Sequence, residues 1–107
     1  MQKINLLGLG SYENRSYFVF EKKKEFIILF SKFLESIGLD PLNAYYQLSE
    51  GDVDIEDYTD TADHVKNEFY DIDIFYGAKR IIVVIRSEIP RDRYIDKIKK
   101  IANFKGF

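Results

Sequence analysis

The stretch that decides the fold is Tyr70–Arg86, which reads YDIDIFYGAKRIIVVIR. Its first half alternates with a period of two, which is typical of a strand that has one buried face. Gly77 and Ala78 suit a two-residue turn with glycine at its first position. The apolar run that follows returns as a second strand, so this stretch predicts a β-hairpin.

The predicted hairpin has one apolar face and one mixed face. Its register pairs Tyr76 with Lys79, Ile74 with Ile81, Ile72 with Val83 and Tyr70 with Ile85 on the core face. The other face carries Phe69, Asp71, Asp73, Phe75, Arg80, Ile82, Val84 and Arg86. Because the second face is half charged and half apolar, we expect it to be a solvent-exposed surface or an interface. The sequence does not decide whether this face mediates a homodimer.

Two strands and a helix are predicted before the hairpin. The strands are Lys3–Leu9 and Ser16–Phe20, joined by a loop longer than two residues among the turn formers of Gly8–Asn14. Apolar residues recur at i, i+3, i+4 and i+7 in Lys24–Ile37, which predicts a helix that ends at Gly38.

The other segments are less sharply defined by their sequence. Leu42–Leu48 suits a short helix or a strand, and Asp52–Glu56 alternates like an exposed edge strand. Thr59–Phe69 suits either a short helix or an extended approach to the hairpin. Pro90 is expected at the first position of the last helix, and Asn103–Phe107 is expected to fray.

These elements predict an α+β fold, with an antiparallel sheet of about four to five strands and two main helices packed on one face. The chain has 107 residues, which fit a single domain over 1–107. Cysteine is absent, which excludes disulfides, thiolate zinc sites and cysteine nucleophiles. With no signal-peptide pattern and no apolar run of the roughly 20 residues that a membrane helix needs, a cytoplasmic protein without a membrane partner is expected.

Charge is unevenly distributed along the chain. Residues 50–73 hold ten acids and one base, a net charge of −9, whereas the rest holds eight acids and fifteen bases, a net charge of +7. Carboxylates mixed with tyrosines suit docking to a basic protein, because charge steers association and aromatic side chains anchor it. The predicted partner-binding residues are Asp52, Asp54, Glu56, Asp57, Tyr58, Asp60, Asp63, Glu68, Asp71 and Asp73.

The sequence resembles three functional motifs in part, and each of them lacks a required residue. A calcium loop that starts at Asp52 has Asp57 where glycine is required, although looser calcium or magnesium binding by the carboxylates stays open. A restriction-type nuclease needs Glu-x-Lys on the second hairpin strand, where Val84-Ile85-Arg86 stands instead. Gly8-Leu9-Gly10 lacks the Lys-Ser/Thr of a phosphate loop.

The single histidine, His64, has no nucleophile or metal-ligand pattern around it, so a solvated side chain is expected. No catalytic residue, metal ligand or cofactor is therefore predicted, and the chain is interpreted as a binding protein rather than an enzyme.

A second hypothesis is nucleic-acid binding through the basic C-terminal part. Residues 79–105 hold nine bases and three acids, and Tyr94 is available to stack on a base. The overall pI of about 5.4 argues against this use.

The hairpin 70–85, in a short, acidic, cysteine-free α+β chain, resembles the central hairpins of small immunity proteins from bacterial polymorphic-toxin and contact-dependent growth-inhibition systems. The resemblance covers 16 of the 107 residues and includes no diagnostic motif. It implies stoichiometric neutralisation of one cognate toxin, often a nuclease, by blocking the toxin's active site.

Overall fold

A computed structural model describes residues 3–42, 62–77 and 79–104. These ranges contain six strands and two helices. In chain order the elements are β1 Ile4–Tyr12, β2 Arg15–Glu21, α1 Glu25–Ser36, β3 Ala62–Lys66, β4 Asp71–Tyr76, β5 Arg80–Arg86, α2 Arg91–Ile98 and β6 Ala102–Phe104.

The strands form one sheet in the order β3-β4-β5-β2-β1-β6. Neighbouring strands are antiparallel except β1 and β6, which are parallel. The α+β class is confirmed, but the prediction of four to five antiparallel strands is corrected to a six-stranded mixed sheet. Since β5 and β1 are both antiparallel to β2, β6 runs in the same direction as β5, and α2 provides the crossover that parallel strands require.

The core lies between one face of the sheet and both described helices. In β4, Ile72 and Ile74 are fully buried, whereas Asp71 and Asp73 on the alternate face are half-buried. The core face of α1 contributes Phe26, Phe30, Phe33 and Leu34. The apolar stripe predicted for this helix therefore packs on the sheet, where it removes nonpolar surface from water.

The register of the β4–β5 hairpin differs from the prediction. Ile74 pairs with Val83 rather than Ile81, and Tyr76 pairs with Ile81 rather than Lys79. Gly77 lies opposite Arg80, since the Gly77 N–H donates to the Arg80 carbonyl at 2.9 Å. This slip moves every pairing by two residues, so each side chain keeps its predicted face.

The β1–β2 hairpin is longer and tighter than predicted. Residues 8–12 continue β1 to Tyr12, and the reversal takes only Glu13 and Asn14. Glu13 has φ 54°, a left-handed conformation that a tight hairpin turn often requires at this position. The predicted long loop is therefore wrong, as is the interpretation of Gly8-Leu9-Gly10 as a turn.

Three other expectations fall partly on described residues. Residues 62–66 form β3, so the extended alternative for this segment is right and the helical one is wrong. Pro90 immediately precedes α2. Asn103 and Phe104 belong to β6 rather than to a frayed tail. The predictions for 43–48 and 52–56 lie outside the described residues.

Polar side chains tie the β1–β2 hairpin to α2. The fully buried Ser16 hydroxyl lies 2.6 Å from the Tyr94 hydroxyl, and Arg91 Nε donates to Ser16 Oγ at 2.6 Å. Arg91 Nη2 also donates to the carbonyls of Glu13 and Arg15 at 3.2 and 3.1 Å. The hairpin and the start of α2 are thus held by a shared network, which we call the Ser16 network.

Helix α1 ends as its sequence predicts. Gly38 has φ 83°, the left-handed conformation that favours glycine. The N–H of Leu39 donates to the Leu34 carbonyl, and that of Gly38 donates to the Glu35 carbonyl. These two bonds form a Schellman motif, which satisfies carbonyls that the last helical turn leaves open.

We expect Gly38→Ala to lower the free energy of unfolding by about 1 kcal/mol, because a Cβ atom disfavours positive φ. The space itself is adequate, since the nearest heavy atom to an added Cβ would be Asn67 Nδ2 at 3.6 Å. Urea denaturation measures the change. Gly10→Ala is the control, because Gly10 lies in β1 with no heavy atom within 4 Å of the added Cβ. An equal loss in both variants would contradict the conformational explanation.

Candidate protein-binding face

The sheet face opposite α1 and α2 presents a mixed set of side chains. We call it the open face, since both described helices pack on the other side. Its central side chains come from β2, β3, β4 and β5, and they are Tyr17, Val19, His64, Asp71, Asp73, Phe75, Ile82, Val84 and Arg86. Strict alternation along each strand places them together.

One end of the open face is charged. Arg86 Nη1 donates to Asp73 Oδ2 at 2.6 Å across the β4–β5 pair. His64 Nε2 lies 2.5 Å from Asp71 Oδ1, and the His64 side chain is 53% exposed. The hydrogen bond to Asp73 raises the pKa of Arg86, and the charges of Asp73 and Asp71 add to this effect. The guanidinium is always charged in proteins, so Arg86 is a permanent cationic partner for Asp73.

The other part of the open face is apolar. Tyr17 pairs with Val84, and Val19 pairs with Ile82, across β2 and β5. Phe75 of β4 lies on the far side of Ile82. We call these five side chains the apolar shelf. Of these five side chains Val84 is buried, at 7% exposed, and the other four are half-buried.

Glycine extends the shelf towards β1. Gly8 pairs with Val19, and an added Cβ would lie 3.4 Å from Val19 Cγ2. Gly10 pairs with Tyr17 and leaves open space beside it. The shelf therefore continues as bare backbone, which another molecule can approach closely. An apolar centre beside charged side chains is the arrangement found in protein interfaces.

The four predicted acids that the structure describes do not form one group. Asp71 and Asp73 lie together on the open face. Asp63 lies on the opposite face, where its carboxylate accepts a hydrogen bond from Tyr76 Oη at 2.7 Å. Glu68 is exposed between β3 and β4. The remaining predicted residues lie outside the described residues, and they are Asp52, Asp54, Glu56, Asp57, Tyr58 and Asp60.

The structure adds residues that the sequence prediction missed. Tyr17 and Val19 join the open face because β2 pairs with β5, about 65 residues away in sequence. No local pattern reports such a pairing. Alternation in Ser16–Phe20 was the one available signal, since it placed these two side chains on the face opposite Phe18 and Phe20.

The hairpin position that a nuclease would need is apolar. Val84 lies directly opposite Asp73, so an isopropyl group stands where the second metal-binding carboxylate is required. Within residues 3–42, 62–77 and 79–104, no group of three or more His, Asp or Glu side chains is arranged to hold a metal ion. Neither described helix is long and apolar enough to cross a membrane.

Two basic side chains at the C-terminal end of α2, Lys97 within the helix and Lys99 just after it, have partners within the chain. Lys97 Nζ donates to the Ser36 carbonyl at 3.0 Å, which links α2 to the end of α1. Lys99 Nζ lies 5.7 Å from the centre of the Phe104 ring, in cation–π range. These contacts orient two of the basic side chains on which the nucleic-acid hypothesis depends.

Comparisons of the chain with protein-family models, with curated proteins and with solved structures gave no significant match.

Proposed function

We propose that this chain is a stoichiometric protein inhibitor of the immunity or antitoxin type, which acts in the cytoplasm on a basic partner such as a nuclease toxin. The observation that carries the proposal is the open face, where the apolar shelf adjoins charged side chains on the same face of the sheet. The inhibitor works by occupying its partner's surface and performs no chemistry of its own.

The attraction to a basic partner comes from the acids that precede β3 in sequence. Residues 50–60 hold six acids and no base. Asp73 is already paired with Arg86, and Asp71 is hydrogen-bonded to His64. Because both carboxylates already have partners within the chain, they add little negative potential for attracting a basic protein. We therefore assign the long-range attraction to the acids of residues 50–60.

The apolar shelf supplies the affinity in this proposal. Charged residues near an interface accelerate association, whereas buried aromatic and aliphatic contacts slow dissociation. Tyr17 and Phe75 are the aromatic members of the shelf. They lie on β2 and β4, on either side of β5, where Tyr17 is paired with Val84 and Phe75 with Ile82. A toxin loop that enters between them would bury apolar surface without disturbing the core.

A quadruple variant tests the acidic residues by replacing Asp52, Asp54, Glu56 and Asp57 with Lys. We expect it to bind a basic nuclease toxin at least about tenfold more weakly, mainly because association is slower. Isothermal titration and stopped-flow mixing at two salt concentrations measure the effect. The matched control reverses Glu35, Asp40, Asp92 and Asp96, which are exposed and lie outside 50–73. Both variants change the net charge equally.

Two outcomes would contradict this assignment. Unchanged affinity in the first variant would remove the acidic residues from the interface. An equal loss in the control would show that only total charge matters.

Phe75→Ala tests the apolar shelf separately, with circular dichroism to confirm that the variant folds. A dissociation rate equal to that of the wild-type chain would exclude the open face as the binding surface. Retardation of DNA or RNA in a gel at low salt would favour the nucleic-acid hypothesis instead.

A further inference from the structure

A groove with an apolar floor and a basic rim lies between α1 and α2. Leu29, Phe33 and Ile101 line it together with the lysines Lys32, Lys97 and Lys100, and its volume is about 350 Å³. Phe33 and Ile101 are almost fully buried, at 2% and 6% exposed, so they form the bottom of the groove, and the nonpolar surface that a ligand can reach comes mainly from half-buried Leu29 and the lysine stems. We call this feature the interhelical groove.

The lysines of the groove come from both helices and their flanks. Lys97 is fixed by its hydrogen bond to the Ser36 carbonyl at 3.0 Å, which uses one of its three donors. Lys32 and Lys100 are exposed. Among the described residues that line the groove, none is acidic. A ligand in the groove therefore meets positive charge at the rim and nonpolar surface beneath it.

We propose that the interhelical groove binds a small amphipathic carboxylate, with the nonpolar part against Leu29, over the buried Phe33 and Ile101, and the carboxylate among the three lysines. Charge complementarity selects an anion, and the apolar floor selects one with a hydrocarbon body rather than a bare inorganic ion. The lysine stems add further nonpolar contact.

The size of the groove favours a small molecule over a protein. Its volume lies at the low end of the roughly 300–1,000 Å³ that ligand pockets span. A stable protein interface needs about 800 Å² from each partner, far more than one groove supplies. Another cavity, of about 340 Å³, is lined by Glu13, Glu88 and Arg91 and mixes both signs of charge, so it offers no such selection.

This site is independent of the proposed inhibitor function. The groove lies in the helical layer, whereas the open face lies on the other side of the sheet. Loss of toxin binding would leave ligand binding in the groove unchanged, and the reverse also holds.

Decanoate, kept below its micelle concentration and titrated into the full chain, tests the proposal by two-dimensional amide NMR. We expect shifts centred on Leu29, Phe33 and Ile101. Lys32→Gln with Lys100→Gln is expected to weaken decanoate about five- to tenfold. The matched control is Lys24→Gln with Lys99→Gln, since these exposed lysines flank the same helices outside the groove, and it is expected to stay within about twofold.

Decanol separates charge recognition from simple partition onto nonpolar surface. It should bind the wild-type chain at least about fivefold more weakly than decanoate does. The proposal is overturned by absent shifts, by equal binding of the two compounds, or by equal weakening in both double variants. It is also overturned if a thymidine oligonucleotide binds the groove in preference to decanoate, because the lysines would then serve a phosphate backbone.

Discussion

Replacement of Phe30 by alanine is expected to lower the free energy of unfolding by about 3–5 kcal/mol. Phe30 is fully buried in α1, and its ring centre lies 4.9 Å from that of Phe26 and 5.2 Å from that of Phe33. It also meets Phe20 of β2 edge-on at 6.1 Å. Truncation removes these contacts together and leaves a cavity that the surrounding core fills only in part.

The size of this loss matters because a domain of this length holds only about 5–15 kcal/mol in total. Urea denaturation, followed by circular dichroism, measures the change. Ile28→Ala is the matched control, since Ile28 lies on the same helix but is 64% exposed. We expect the control to change stability by less than about 0.5 kcal/mol. A similar small effect in Phe30→Ala would mean that α1 does not pack on the sheet as described.

Removal of the Ser16 hydroxyl is expected to have the second largest effect, a loss of about 2–3 kcal/mol for Ser16→Ala. Two polar groups lose their partner at once, because Tyr94 Oη and Arg91 Nε both lie 2.6 Å from Ser16 Oγ. Tyr94 is only 2% exposed, so water does not readily replace the lost bond. An unpaired buried group keeps its full desolvation penalty.

Ser11→Ala is the matched control for this variant. Ser11 lies directly opposite Ser16 in the β1–β2 ladder but is exposed. Its replacement should leave thermal and urea midpoints almost unchanged. A double-mutant cycle between Ser16→Ala and Tyr94→Phe should show coupling, since each change removes the same hydrogen bond. Additive losses would mean that the two hydroxyls act independently.

Hairpin 70–86 shows what sequence alone can and cannot predict. The period-two pattern correctly assigned every face, because alternation is intrinsic to a strand. The same pattern does not distinguish registers that differ by two residues, since both keep the faces. Gly77 suggested the wrong choice, and only the observed pairing of Tyr76 with Ile81 distinguishes the two.

Local sequence patterns could not predict the elements that are stabilised by residues distant in sequence. Strand β6 consists of Ala102, Asn103 and Phe104, which have no strand pattern, and it exists because Ile4–Leu6 pairs beside it. The Ser16 network joins residues 75 to 78 positions apart. The charge of the acidic segment was visible in the sequence, but the pairing of Asp73 with Arg86 and of Asp63 with Tyr76 was not.

The pairing of β2 with β5 has a consequence for the rate of folding. Hairpins β1–β2 and β4–β5 each pair two strands that are consecutive in sequence, and such hairpins form within about 1–10 μs. The seam between them joins residues 15–21 to residues 80–86, so it requires closure of a loop of about 60 residues. Sheets built from such distant pairings fold on the order of milliseconds to seconds. Until that seam closes, β2 and β5 each expose an unpaired edge, and the newly made chain is at its most aggregation-prone.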